Sequence, residues 1–131
     1  MSRYQRLGLA PLTREELAAG LAELGLVAEF AAGDPLELTG SLECAGEPVD
    51  VRLPAALGAV EDFGFLLSPP ALVCGEYDRA LLERRLVAPL TQAVALARAR
   101  AAAAAAGLAV DEQVAADGTR RLTLSLRPAR E

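Results

Sequence analysis

Histidine, lysine and tryptophan are all missing from this chain of 131 residues, and aromatic side chains make up only 4% of it. Without histidine the usual proton shuttle at neutral pH is gone, so any acid–base chemistry would fall to carboxylates, cysteine or tyrosine. The two cysteines, Cys44 and Cys74, stand far apart, which is neither a metal-ligand spacing nor a disulfide framework. Both read as small buried hydrophobes. No apolar run reaches the roughly 18 residues that a membrane-spanning helix needs. The opening "MSRYQRLGLAPLTREE" has no secretory-type apolar segment. These features predict a cytoplasmic protein with no membrane association.

What is present is a chain of the common single-domain length, long enough to bury a core without staples. One domain over residues 1–131 is expected. The hydrophobic share is 53%, but much of it is alanine, so the core must be built from Leu, Val and Ala with few rings. All positive charge is arginine, and it is unevenly spread. Residues 1–78 carry 13 acids and 4 arginines, whereas residues 79–131 carry 5 acids and 9 arginines. Such a chain either has an electrically lopsided surface that orients a partner, or folds so that the two halves interleave.

The local signals predict an α+β fold. Thr13 followed by Glu16 is a capping box, Leu17, Leu21 and Leu24 recur at helical spacing, and Gly25 is a left-handed stop. This predicts a helix from Arg14 to Leu24. Leu26 to Ala31 reads as a strand and "AGDP" as a turn. Leu36, Leu38, Gly40 and Leu42 then alternate with polar residues, as do Val49, Val51 and Leu53 after "AGEP". "DFGFLLS" and "ALVCGEYD" read as two strands around Pro69 and Pro70. Asp78 reads as the cap of a helix running to Ala106, bent or split at Pro89. "ADGT" marks a closing hairpin in which Leu122, Leu124 and Leu126 face one way.

Two passages share an order of helix, glycine stop, strand, tight turn and strand. "GLVAEFAAGDPLELTGSLE" from Gly25 resembles "GLAVDEQVAADGTRRLTLSLR" from Gly107, with Leu38-Thr39 falling on Leu122-Thr123 and Ser41-Leu42 on Ser125-Leu126. The pattern predicts pseudo-repeated αββ units near residues 14–43 and 90–127, packed as a single antiparallel sheet with two main helices on one face.

No catalytic constellation emerges. Glu61 and Asp62 in "GAVEDFGF" would point to opposite faces of a strand. Glu15-Glu16 and Asp111-Glu112 read as a helix first turn and a solvated strand face. Cys74 in "LVCGEYD" has acids and a tyrosine nearby, the wrong setting for a nucleophilic thiolate. No glycine-rich phosphate loop is present. Neither cofactor nor metal is expected, and the chain reads as a non-enzyme. Arg84, Arg85, Arg98, Arg100, Arg120 and Arg121 are candidate interaction residues able to bind phosphate bidentately. The acidic net charge and the absence of interleaved aromatics make nucleic acid a poor expectation.

The segment "LTQAVALARARAAAAAAGLAVDEQVAADGTRRLTLSLR", residues 90–127, and more weakly "LAAGLAELG" resemble an uncharacterised family of small proteins found in cyanobacteria, algal plastids and other bacteria. The middle departs from it: where that family has a tryptophan-bearing strand, this chain has "ALVCGEYD". The resemblance implies an accessory protein, with an ATP-driven remodelling protein as a possible partner, and carries over no catalytic residue. The expected function is therefore a non-enzymatic adaptor or accessory subunit that binds another protein or a second copy of itself. The alternative is a small-ligand or anion/RNA-binding domain using the Arg-rich C-terminal half and the cleft between the helices. One further expectation concerns "ARARAAAAAAG": Leu90, Val94, Ala97, Ala101, Ala104 and Leu108 form one helical face, narrowing to methyl groups that allow close packing on the sheet or on a partner.

Overall fold

The computed structural model describes residues 4–40 and 46–126. Helix α1 (Arg14–Glu23) begins as the capping box requires: the Thr13 hydroxyl accepts from the Glu16 amide, and the Glu16 carboxylate accepts from the Thr13 amide. Leu24 caps its end, and Gly25 turns the chain out at φ +75°. The second helical run starts as a 3-10 turn (Glu76–Asp78) and continues through α2 (Arg79–Leu82) and a π turn (Glu83–Val87) into α3 (Ala88–Ala105). Pro89 lies in the first turn of α3, where its missing N–H costs least, and the wide π turn joins the short helix to the long one.

Nine strands complete the described chain: β1 (Tyr4–Gly8), β2 (Glu29–Phe30), β3 (Leu36–Leu38), β4 (Glu47–Val49), β5 (Val51–Leu53), β6 (Phe63–Leu67), β7 (Pro70–Gly75), β8 (Leu108–Val114) and β9 (Arg120–Leu126). The fold is α+β, but its strands form three sheets rather than one. Five of them pair antiparallel in the order β1-β7-β6-β5-β2, while β3-β4 and β8-β9 are separate two-stranded ribbons.

The two predicted αββ units therefore differ in pairing. β8 and β9 form a hairpin with each other, whereas β2 pairs with β5 and β3 with β4. Among the described residues the two passages share a helix followed by a left-handed glycine, Gly25 at φ +75° and Gly107 at φ +71°. The strand expected over Leu26 to Ala31 shrinks to Glu29–Phe30, and the one from Leu36 ends at Leu38. Leu42, Ser41 and Cys44 lie outside the described residues.

Two cores sit on opposite faces of the main sheet. On one face Val51, Leu53, Phe63, Phe65, Leu72 and Cys74 pack with Leu17 and Leu21 of α1 and with Leu82, Leu86, Leu90 and Val94 of the second helical run. Each such burial of a large side chain is worth about 1.5–3 kcal/mol. Both helices thus cover a single face, as the sequence predicts. Gly20 brings them together, because a Cβ there would stand 2.7 Å from Leu90 Cδ1. On the other face Leu38, Val49 and Val73 form a smaller cluster under the β3-β4 ribbon.

Asp50 explains how one alternating run serves both cores. In a regular strand Val49 and Val51 would share a face. Here the chain turns between them, with the Asp50 amide donating to Phe65 O at 2.9 Å, its carbonyl accepting from Ala31 at 2.8 Å and its carboxylate accepting the Leu67 amide at 2.8 Å. Val49 consequently joins the small cluster and Val51 the large one.

Candidate functional site

The segment 54–62, between β5 and β6, has no regular structure and is fixed from three directions. The first tie comes from the helical run. Arg85 Nη1 donates to the carbonyl of Leu57 at 2.9 Å, holding that residue in the left-handed region at φ 58°. A non-glycine residue there stores strain that the surroundings must hold.

The second tie is Asp78, which is 2% exposed and accepts the amides of Val60 at 2.8 Å and Glu61 at 3.0 Å. Its side chain does not cap its own helix, contrary to the sequence reading. The helix-cap signature of an Asp before a helical run is here spent on a neighbouring loop.

The third tie is Asp62. Its Oδ1 accepts the Tyr4 hydroxyl at 2.6 Å and the Gly40 amide at 2.8 Å, while Oδ2 accepts the Thr39 amide at 2.8 Å. Burial, and then the bond to Asp62, push the Tyr4 phenol well above its ordinary value, so it stays a donor. Gly40 is required by this packing, since a Cβ would come within 2.6 Å of Asp62 Oδ1. One carboxylate thereby links β1, the end of the β3-β4 ribbon and the 54–62 segment.

Beside this node opens a cleft of about 610 Å³, lined by residues 27–29, 39–40, 52–55 and 60–62. That volume lies within the range of small-ligand and side-chain pockets. Three acidic residues line it, Glu29, Glu61 and Asp62, against one arginine, Arg52. Arg52 is itself engaged, donating to both Glu29 oxygens at 2.7 and 3.1 Å and to Glu37 O at 2.9 Å. Its rim is apolar: Val27 is 84% exposed and Val60 75%. Glu61 and Asp62 thus line one cleft, a correction to the expectation that they diverge. Strand alternation does not apply to them because they precede β6.

The six candidate arginines do not gather into a patch. Arg98 pairs with Glu16 and also donates to Pro11 O at 2.8 Å; Arg100 pairs with Glu112; Arg120 pairs with Glu23 and lies 3.6 Å from Glu112. Arg85 holds Leu57, Arg84 donates to Ala80 O at 3.4 Å, and Arg121 is exposed on β9. Two of these pairs, Arg98 with Glu16 and Arg120 with Glu23, join basic residues of the back half to acids of the front half, whereas Arg100 with Glu112 lies within the back half. The cleft between the helices and the hairpin tip, about 400 Å³, does contain Arg120, but beside Asp117 and with its guanidinium already paired.

Cys74 is 1% exposed, and burial, followed by the charge of Asp78, raises its thiol to about 11. It packs in the main core rather than facing a cleft. Among the described residues, no three of His, Cys, Asp or Glu form a group suited to a metal ion. No helix among them is long and apolar enough to cross a membrane. The acidic cleft was not legible in the sequence, because its walls come from four separated segments. No family model, curated protein or solved structure matches the chain.

Proposed function

We propose that the protein is a non-enzymatic adaptor or accessory subunit that docks a segment of another protein in the cleft beside Asp62. The carrying observation is the combination of a pinned 54–62 segment, three acidic residues against one arginine in the lining of the cleft and two exposed valines in that lining. A preorganised surface loses little conformational freedom on binding, which is where affinity is gained. The charge balance favours a lysine or arginine of the partner, flanked by apolar residues that cover Val27 and Val60. An ATP-driven remodelling protein stays within this reading as a partner class, on the resemblance alone. Binding of anions or RNA has less support, because Arg98, Arg100 and Arg120 are committed to carboxylates.

Selection of displayed random peptides on the immobilised protein tests this. The enriched peptides should carry a basic residue next to apolar ones and lose at least about tenfold in affinity on Val60→Lys, which adds a repelling charge at an exposed position. Enrichment of acidic peptides, or binding indifferent to Val60→Lys, would overturn it.

A further inference from the structure

The linker between β1 and α1 is tied at three points. The Leu9 amide donates to Pro70 O at 3.0 Å, the Thr13 amide to Glu16 Oε1 at 2.9 Å, and Arg98 Nη2 of α3 to the carbonyl of Pro11 at 2.8 Å. Linker and α3 together line a pocket of about 110 Å³. Buried Leu90 and Val94 form its floor, with half-buried Leu9, Leu12 and Val87 beside them. An apolar cavity of about 150 Å³ holds benzene, so this one suits a single ring or a short branched chain. Because its frame is already tied, an occupant has little backbone to order.

Charge selects the class of occupant. Arg98 is the one ionisable residue of the lining, and both Glu16 oxygens pair with it, Oε1 accepting from Nη2 at 2.9 Å and Oε2 from Nε. Arg98 holds the Glu16 carboxyl at about 2, so the pair persists at neutral pH. An anion would have to displace Glu16, and a cation would meet the guanidinium. A neutral molecule meets neither cost, and Thr91 is the one uncharged polar residue of the lining.

The surroundings select its source. A stable protein interface covers about 800 Å² on each partner and centres on large apolar side chains. Here the exposed residues of the lining include Pro11, Thr91, Ala95 and Arg98, small or polar. Among the described residues, the exposed large apolar side chains are Val27, Val60, Tyr77 and Val114, and none of them lines this pocket. A free molecule needs only the hollow itself.

We propose that the pocket between the 9–12 linker and α3 is a binding site for a free, neutral, mainly hydrocarbon molecule of single-ring size. It shares no lining residue with the acidic cleft, so it stands or falls independently of docking there.

Titration of benzene, phenol and benzoate into the full chain, followed by methyl NMR, tests this. Benzene and phenol should give saturable shifts at Leu9, Leu12, Leu90 and Val94 with Kd of about 1 mM or tighter, and benzoate should bind at least about tenfold more weakly. Ala95→Leu and, separately, Thr91→Leu enlarge the lining at exposed helix positions that accept leucine, and each should weaken benzene by about tenfold or more. Shifts that do not saturate, benzoate binding as tightly as benzene, or benzene affinity indifferent to both substitutions would overturn the site. Displacement of benzene by a peptide selected on the protein would give the pocket to a protein partner and overturn the free-ligand assignment.

Discussion

Replacing Asp62 with asparagine tests the node that fixes the cleft. In the native protein Oδ1 serves the Tyr4 hydroxyl and the Gly40 amide, and Oδ2 serves the Thr39 amide at 2.8 Å. An asparagine of the same shape retains one oxygen. If it keeps Tyr4 and Gly40, its NH₂ group is set against the Thr39 N–H, losing one bond outright and removing the charge that strengthens the other two. A hydrogen bond to a charged group contributes about 1.5–3 kcal/mol. Water reaches Thr39 and Gly40, which are exposed, and recovers part of this. The expected loss is therefore about 2 kcal/mol, or roughly 5–8 °C in Tm for a domain of this size. Urea unfolding should show a lower midpoint with an unchanged slope. Tyr4→Phe removes one donor and leaves Oδ1 with Gly40, so about 1 kcal/mol is expected. Because the two side chains share one hydrogen bond, their effects should be non-additive by about 0.5 kcal/mol or more. An Asp62→Asn protein within about 0.5 kcal/mol of the native one would refute the reasoning.

Three more outcomes follow from other parts of the structure. Gly64→Ala should cost about 3 kcal/mol or more in urea unfolding, because a Cβ would collide with the Val51 carbonyl and crowd both Val49 methyls at 3.0 Å. Arg98, then the Thr13 amide, lower the Glu16 carboxyl to about 2 from an ordinary 4.5. With a depressed folded value, its stabilising contribution is present above about 4.5 and is lost as pH falls towards 2. Acid unfolding of Glu16→Gln should accordingly be flatter across that window. Ala101→Leu should leave Tm within about 2 °C of the native value, because Ala101 is exposed on α3.

The last outcome bears on how far the chain could be read in advance. Signals confined to a few consecutive residues were legible: the Thr13–Glu16 box, the stops at Gly25 and Gly107, and the Asp117-Gly118 turn all depend on local backbone geometry. The direction of a helical face was harder in an alanine run, where little distinguishes one side from another. Of the expected face, Leu90 and Val94 are buried in the main core, but Ala97, Ala101 and Ala104 are exposed, and the remaining buried positions of α3 are Ala93, Leu96 and Ala103. Methyl groups do allow close packing, and β8 is among the elements that lie against α3. β1 was not anticipated, since "YQRLG" alternates poorly and acquires its strand form by pairing with β7. "VDVRL" read as one strand because the partners that turn the chain at Asp50 lie on Ala31, Phe65 and Leu67. The cleft was hidden for the same reason, being assembled from segments whose proximity no local pattern encodes.

The docking claim is tested most directly by the hydrogen-exchange footprint of a basic peptide selected on the protein. Bound peptide should slow exchange of amides at 27–29, 39–40 and 54–62, around the cleft walls, with little change on α3. A footprint centred on residues 84–100 or on the hairpin, with the cleft amides unaffected, would contradict the account.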